Sequence, residues 1–132
     1  MKTSTIWQGG ESFESSFNQS KILVDGKEGF SPKALLLTGV AACSGIDVVE
    51  ILEKMRVPFA GLRVEVESDQ TEEHPRVFRD IHINYIITTG EENREKVKKA
   101  IDLSLDKYCG VAAMLKKNSK IEYIITIEEE SN

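Results

Sequence analysis

Two cysteines, Cys43 and Cys109, carry the chemistry that sets this sequence apart. A thiolate attacks electrophiles, two thiols close to a disulfide, and thiols with histidines bind soft metals. Cys43 lies in the apolar run GVAACSGIDVVEIL, residues 39–52, with Asp47 four positions on and Glu50 seven on. On a helix those carboxyls point about 40° and 20° from the direction of Cys43, so all three share one face. Carboxylates there hold the thiol's proton on, whereas a nucleophilic thiol needs a nearby cation or helix N-terminus. Ser44-Gly45-Ile46-Asp47 has the outline of a capping box with aspartate in the glutamate position, and a bend there would leave Cys43 just before a new helix start. Gly45 in a continuous helix serves close packing equally well.

Cys109 lies 66 positions after Cys43, so no local C-x-x-C motif joins them, and they meet only if two helices cross. The small-residue stretches VAACSG and YCGVAA permit such a crossing. The histidines are His74, in a loop, and His82, on the wet face of a strand. Neither cysteine has a second ligand at finger spacing, so no metal site is expected, and without a glycine-rich phosphate loop no cofactor is expected either. From the residues alone the thiols remain open between inert fillers and a redox pair.

The elements that must position them follow from periodicity. Leu62, Val64 and Val66 alternate with Arg63, Glu65 and Glu67, and Ile81, Ile83, Tyr85 and Ile87 alternate with polar neighbours, predicting two strands with one wet face. SDQTEEHPR between them makes an antiparallel hairpin with a long loop, and Ile121, Tyr123, Ile125 and Ile127 make a third strand. Ile6–Trp7, Phe13–Phe17 and Ile22–Val24, parted by turn formers, predict a small meander at the amino end. SPKALLLTGVAACSGIDVVEILEKMR reads as a central helix, apolar on nearly every face, with Ser31 as N-cap and Pro32 in the first turn. EENREKVKKAIDLSLDKYCGVAAML reads as a second helix with Val97, Ile101, Leu105, Tyr108, Ala112 and Leu115 on one stripe, divided near Gly110 with Cys109 at the joint. The order is α+β, with no alternating βαβ pattern, in a single domain over residues 1–132.

A net charge of −5 with dispersed lysines and arginines predicts no nucleic-acid partner. The wholly apolar runs are too short for a bilayer and MKTSTIWQGG lacks the core of a signal peptide, so no membrane is expected and the cytoplasm is the expected compartment. Thiols there are seldom locked in static disulfides.

The phrases SPKALLLTGVAACSGIDVVEILEKMR and DLSLDKYCGVAAMLKK, with EEHPRVFRDIHINYIITTG, resemble the OsmC/Ohr superfamily, and its YhfA-like branch in particular. The resemblance implies an intertwined homodimer in which antiparallel sheets wrap two central helices, and thiol-dependent reduction of an organic hydroperoxide. It implies that Cys43 is the peroxidatic cysteine, that Cys109 is the resolving one, and that a thiol reductant reopens the disulfide. Where peroxidase members carry a supporting arginine and glutamate, this sequence has Glu11 and Lys33, either an ion pair of reversed polarity or two solvated side chains. The alternative reading is a non-enzymatic member of the fold that binds a small apolar or thiol-reactive ligand at the dimer interface, with structural cysteines.

Overall fold

Turn chemistry cuts the first part of the chain into short strands. In the computed structural model, which describes residues 1–130, β1 (Ser4–Gly9), β2 (Ser12–Phe17) and β3 (Ser20–Asp25) form an antiparallel sheet in that order. Gly9 and Gly10 turn the chain with φ of 107° and 56°, and Asn18 supplies the left-handed residue of the next turn at φ 54°. Trp7, Phe13 and Val24 align across one face, Ile6, Glu14 and Leu23 across the other. This is the predicted meander.

Helix α1 (Pro32–Lys54) starts as its sequence dictates, the Ser31 hydroxyl accepting the Ala34 amide at 3.2 Å. It ends in a Schellman turn: the Arg56 amide bonds Glu53 O and the Val57 amide Leu52 O, each at 3.0 Å, with Arg56 at φ 58°. No bend interrupts it at Ser44–Asp47, so the capping-box alternative is corrected. The Ser44 hydroxyl engages other side chains instead of capping, and a Cβ built on Gly45 would stand 3.7 Å from Val64 Cγ2, the close-packing role. The helix is less enclosed than its composition predicts. Val40, Ser44, Val48 and Leu52 form the buried i, i+4 stripe, while Leu36 and Ile46 are 48% and 60% exposed. By length and composition α1 could cross a bilayer, a test that core helices of soluble proteins also pass.

Two compact units divide the chain, residues 1–38 and 39 onward, with the boundary inside α1. In the second, β4 (Gly61–Gln70) and β5 (Phe78–Thr88) form the predicted antiparallel hairpin, and β6 (Ile121–Glu128) adds to β5 in parallel. The expectation of antiparallel sheets is therefore corrected at β6. A tight turn returns a strand antiparallel, but the chain between β5 and β6 is a helical crossover, which brings the next strand in from the same end. Ile81, Tyr85 and Ile87 are wholly buried and Ile83 nearly so, opposite Ile121, Ile125, Ile127 and Tyr123 of β6. Tyr85 and Tyr123 meet edge to face with ring centroids 5.9 Å apart.

The crossover is divided between Cys109 and Gly110 as expected, and it carries a 3₁₀ turn and a π turn besides. A 3₁₀ turn (Glu91–Asn93) leads into α2 (Arg94–Leu103), a π turn follows (Ser104–Tyr108), and α3 (Gly110–Leu115) begins after Cys109. Val97, Ile101, Leu105 and Ala112 are buried as the stripe predicts, but Tyr108 is 54% exposed. The wider π turn advances more residues per revolution than an α-helix, so the 3.6-residue period loses register after Leu105.

Candidate thiol site

Cys109 owes its place to the π turn. Its amide bonds the Ser104 carbonyl at 2.7 Å, five residues back, and its own backbone is then extended at φ −76°, ψ 102°. It thus becomes the N-cap of α3, its sulfur accepting the Ala112 amide at 3.4 Å. The residue is only 3% exposed. Burial pushes its thiol up to about 11; the Ala112 amide opposes this, while the Cys43 thiol and the Asp47 carboxylate add to it. Both sulfurs are free thiols, and Cys43, half-buried on α1, is a neighbour of Cys109.

A chain of hydroxyls runs beneath them. Ser44 Oγ lies 2.6 Å from Tyr85 OH, and Ser104 Oγ lies 2.9 Å from both Ser44 Oγ and Asp47 Oδ2. Ser44 and Ser104 are fully buried, and this network satisfies both. Burial also raises the Tyr85 phenol to about 12, so it remains a hydrogen-bond donor across the neutral range. A second tie reaches the π turn from α3, where the Lys116 ammonium donates to the Leu105 carbonyl.

Of the residues singled out from sequence, Cys43, Cys109 and Asp47 come together. Glu50 is exposed one turn on. Glu11 lies in the turn between β1 and β2 and pairs with Lys27 at 3.5 Å, while Lys33 is half-buried in the first turn of α1. His82 faces Glu122 at 3.5 Å on the wet face of the second sheet, and among the described residues no three His, Cys, Asp or Glu side chains gather as metal ligands. A groove of about 540 Å³ on that wet face is lined by Glu65, Glu67, His82 and Glu122 among others and includes neither cysteine. Ser104 and Tyr85 join the site without having been site candidates from the sequence, where Tyr85 reads only as an inward strand residue. The available signal was polar atoms at core positions: Ser104 follows Val97 and Ile101 on the α2 stripe, and Tyr85 stands on the apolar side of β5. A hydroxyl in such a place must find a partner.

Known proteins resemble this chain over most of its length. A family model described as OsmC-like protein matches residues 25–124. Protein YhfA of Escherichia coli K12 is 37% identical over 127 residues, covering 93% of this chain and 95% of its own. Among solved structures, a hypothetical protein from Aquifex aeolicus superposes with a TM-score of 0.89 at 26% identity, covering 98% of this chain and 97% of that one. The organic hydroperoxide resistance protein OhrB of Bacillus subtilis shares the fold, with a TM-score of 0.64 at 16% identity and 96% of each chain covered.

Proposed function

Because this chain belongs to the OsmC-like family, we propose that it is a thiol redox protein of the cytoplasm that reduces an organic hydroperoxide through Cys43 and Cys109. The observation that carries the reading is the pairing of two free thiols, Cys43 on α1 and Cys109 at the joint between the π turn and α3, as neighbours. The thiolate of Cys43 attacks the peroxide oxygen distal to the organic group, the O–O bond breaks, and the organic alkoxide leaves as an alcohol after taking a proton. Cys43 is left as a sulfenic acid. The Cys109 sulfur then attacks the Cys43 sulfur, the S–O bond breaks, water leaves, and a dithiol reductant reopens the disulfide. Fold likeness to an organic hydroperoxide resistance protein supports the substrate class.

The same reading includes a homodimer. Ile6, Trp7, Ile22 and Leu23 of the first sheet are each between 47% and 64% exposed, so both faces of that sheet present large apolar side chains to water. A second copy would cover it.

The second reading, a ligand-binding protein with structural cysteines, is favoured by one observation: Cys109 is a buried, neutral thiol already occupied as the N-cap of α3. The two readings part on one assay. Purified protein is expected to consume cumene hydroperoxide with a dithiol reductant present, and Cys43→Ser is expected to stop it. An inactive native protein, with both thiols still free after stoichiometric peroxide, would move the assignment to the second reading.

A further inference from the structure

We propose that Ser104 is a positioning residue for disulfide formation, latched by Asp47 so that the π turn holds Cys109 in place to attack the sulfur of Cys43. The proposal deepens the thiol redox reading and rests on it for the identity of the step. In that step the Cys109 sulfur bonds the sulfur of Cys43 sulfenic acid, the S–O bond breaks, and the Cys109 proton leaves with the hydroxide as water; the organic hydroperoxide supplied the oxidising equivalents.

Three observations carry it. The Ser104 carbonyl holds the Cys109 amide at 2.7 Å, so the backbone of Ser104 is one end of the bond that closes the π turn. Its hydroxyl is wholly buried and divided between Ser44 Oγ and Asp47 Oδ2, each at 2.9 Å. One hydroxyl proton faces two acceptors, and the carboxylate is the stronger, so Asp47 is the principal anchor and Ser44, held in turn by Tyr85 at 2.6 Å, the secondary one. Asp47 and Ser44 both belong to the helix that carries Cys43, Ser44 one residue after it and Asp47 four. The latch therefore ties the turn bearing one thiol to the helix bearing the other. π turns interrupt helices at a local energetic cost and are frequent where function needs a residue re-aimed.

Asp47 could otherwise act only through its charge, which also bears on the Cys109 thiol, and the two roles predict opposite results. If charge alone mattered, Asp47→Asn and Asp47→Ala would behave alike, both lowering the pH at which Cys109 is alkylated and both hastening disulfide closure. In the latch, Asp47→Ala and Ser104→Ala slow closure, whereas Asp47→Asn, which keeps an acceptor oxygen, and Ser104→Thr, which keeps the hydroxyl, recover most of the rate.

The experiment follows Cys43–Cys109 disulfide formation in the full chain by peptide mapping after diamide, an oxidant that needs no peroxide chemistry, with hydroperoxide turnover measured in parallel. The expected result is a loss of about tenfold or more for Ser104→Ala and Asp47→Ala, because small misplacement of reacting atoms is costly. Should Ser104→Ala fail to fold, Asp47→Ala against Asp47→Asn carries the comparison. Unchanged closure in the alanine variants, equal behaviour of Asp47→Asn and Asp47→Ala, or no native disulfide with diamide would overturn the latch. Native closure with diamide but no hydroperoxide turnover would overturn the proposed function and leave the latch standing.

Discussion

The two sheets of this protein obey the same alternation and end in opposite conditions. In the second, one face disappears: Ile81, Tyr85 and Ile87 are at 0% exposure. In the first, Trp7 on one face and Ile6 and Leu23 on the other remain 64%, 57% and 56% exposed. Period-two patterning specifies a pleated strand with an apolar side, but burial depends on a second layer to cover it. The second unit contains that layer in its own helices, through Val97, Ala100 and Ile101 of α2. The first sheet's own unit supplies no comparable cover, and the thiols and their hydroxyl network all lie in the second unit.

The strongest test of this contrast is truncation. Leu52→Ala or Ile101→Ala, each removing a fully buried side chain of the second unit, is expected to lower the unfolding free energy by about 2–5 kcal/mol. Urea titration should show this loss at every protein concentration. A cost under about 1 kcal/mol would mean that the second unit is not a self-sufficient core.

The first sheet should respond differently because its cover must come from outside its own unit. Sedimentation of the native chain is expected to give twice the chain mass. Trp7→Lys, charging an exposed apolar row, should shift the species toward one chain mass and weaken the dependence of the unfolding midpoint on protein concentration that the native dimer shows. A native monomer at micromolar concentration would break the proposal that a second copy covers this sheet.

These contrasts bear on how much could be read from sequence. The strands, α1 with its Ser31 cap, the hairpin and the position of Cys109 at a helical joint were all legible because each follows from local chemistry or a simple period. The parallel entry of β6 was not, since strand direction is decided by the crossover and not by the strand's own residues. The exposure of Tyr108 was hidden by a π turn that no period of 3.6 anticipates. At the site, the meeting of Cys43 and Cys109 came from resemblance, and the partners Ser104 and Tyr85 depend on a crossing of elements that spacing along one helix cannot disclose.

A titration sharpens the contrast at the thiol itself. Cys109 is displaced from about 9 to about 11 in the folded protein, chiefly by burial. A group whose folded pKa is raised binds its proton more tightly when folded, so its contribution is fully present below the unfolded value and is lost as pH rises through the folded value. Stability should therefore decline between about pH 9 and 11, by roughly 1–3 kcal/mol at the upper end. Tyr85 and Tyr123, both raised to about 12, add a decline of the same sign above pH 10. The difference between native protein and Cys109→Ser isolates the thiol. In a Cys43→Ser background, the alkylation midpoint of Cys109 should fall well above 9. A midpoint near 8.5 would show that its burial is not maintained in solution.

The smallest expected effect concerns Glu11, one of the charged residues singled out from the sequence as a possible support for the thiol. Its carboxylate pairs with Lys27 at 3.5 Å, and the two side chains are 56% and 81% exposed. Two solvated groups in that geometry gain little from each other, because water screens the charges and ordering two flexible side chains costs entropy. Glu11→Gln should then change stability by about 0–1 kcal/mol, with the difference vanishing at high salt. It should also leave the pH profile of Cys43 alkylation where it stands. The second measurement matters more than the first. A shifted Cys43 midpoint in Glu11→Gln, restored by Glu11→Asp, would mean that a charge of the first unit reaches the thiol chemistry of the second, and the separation of roles between the two units would have to be abandoned.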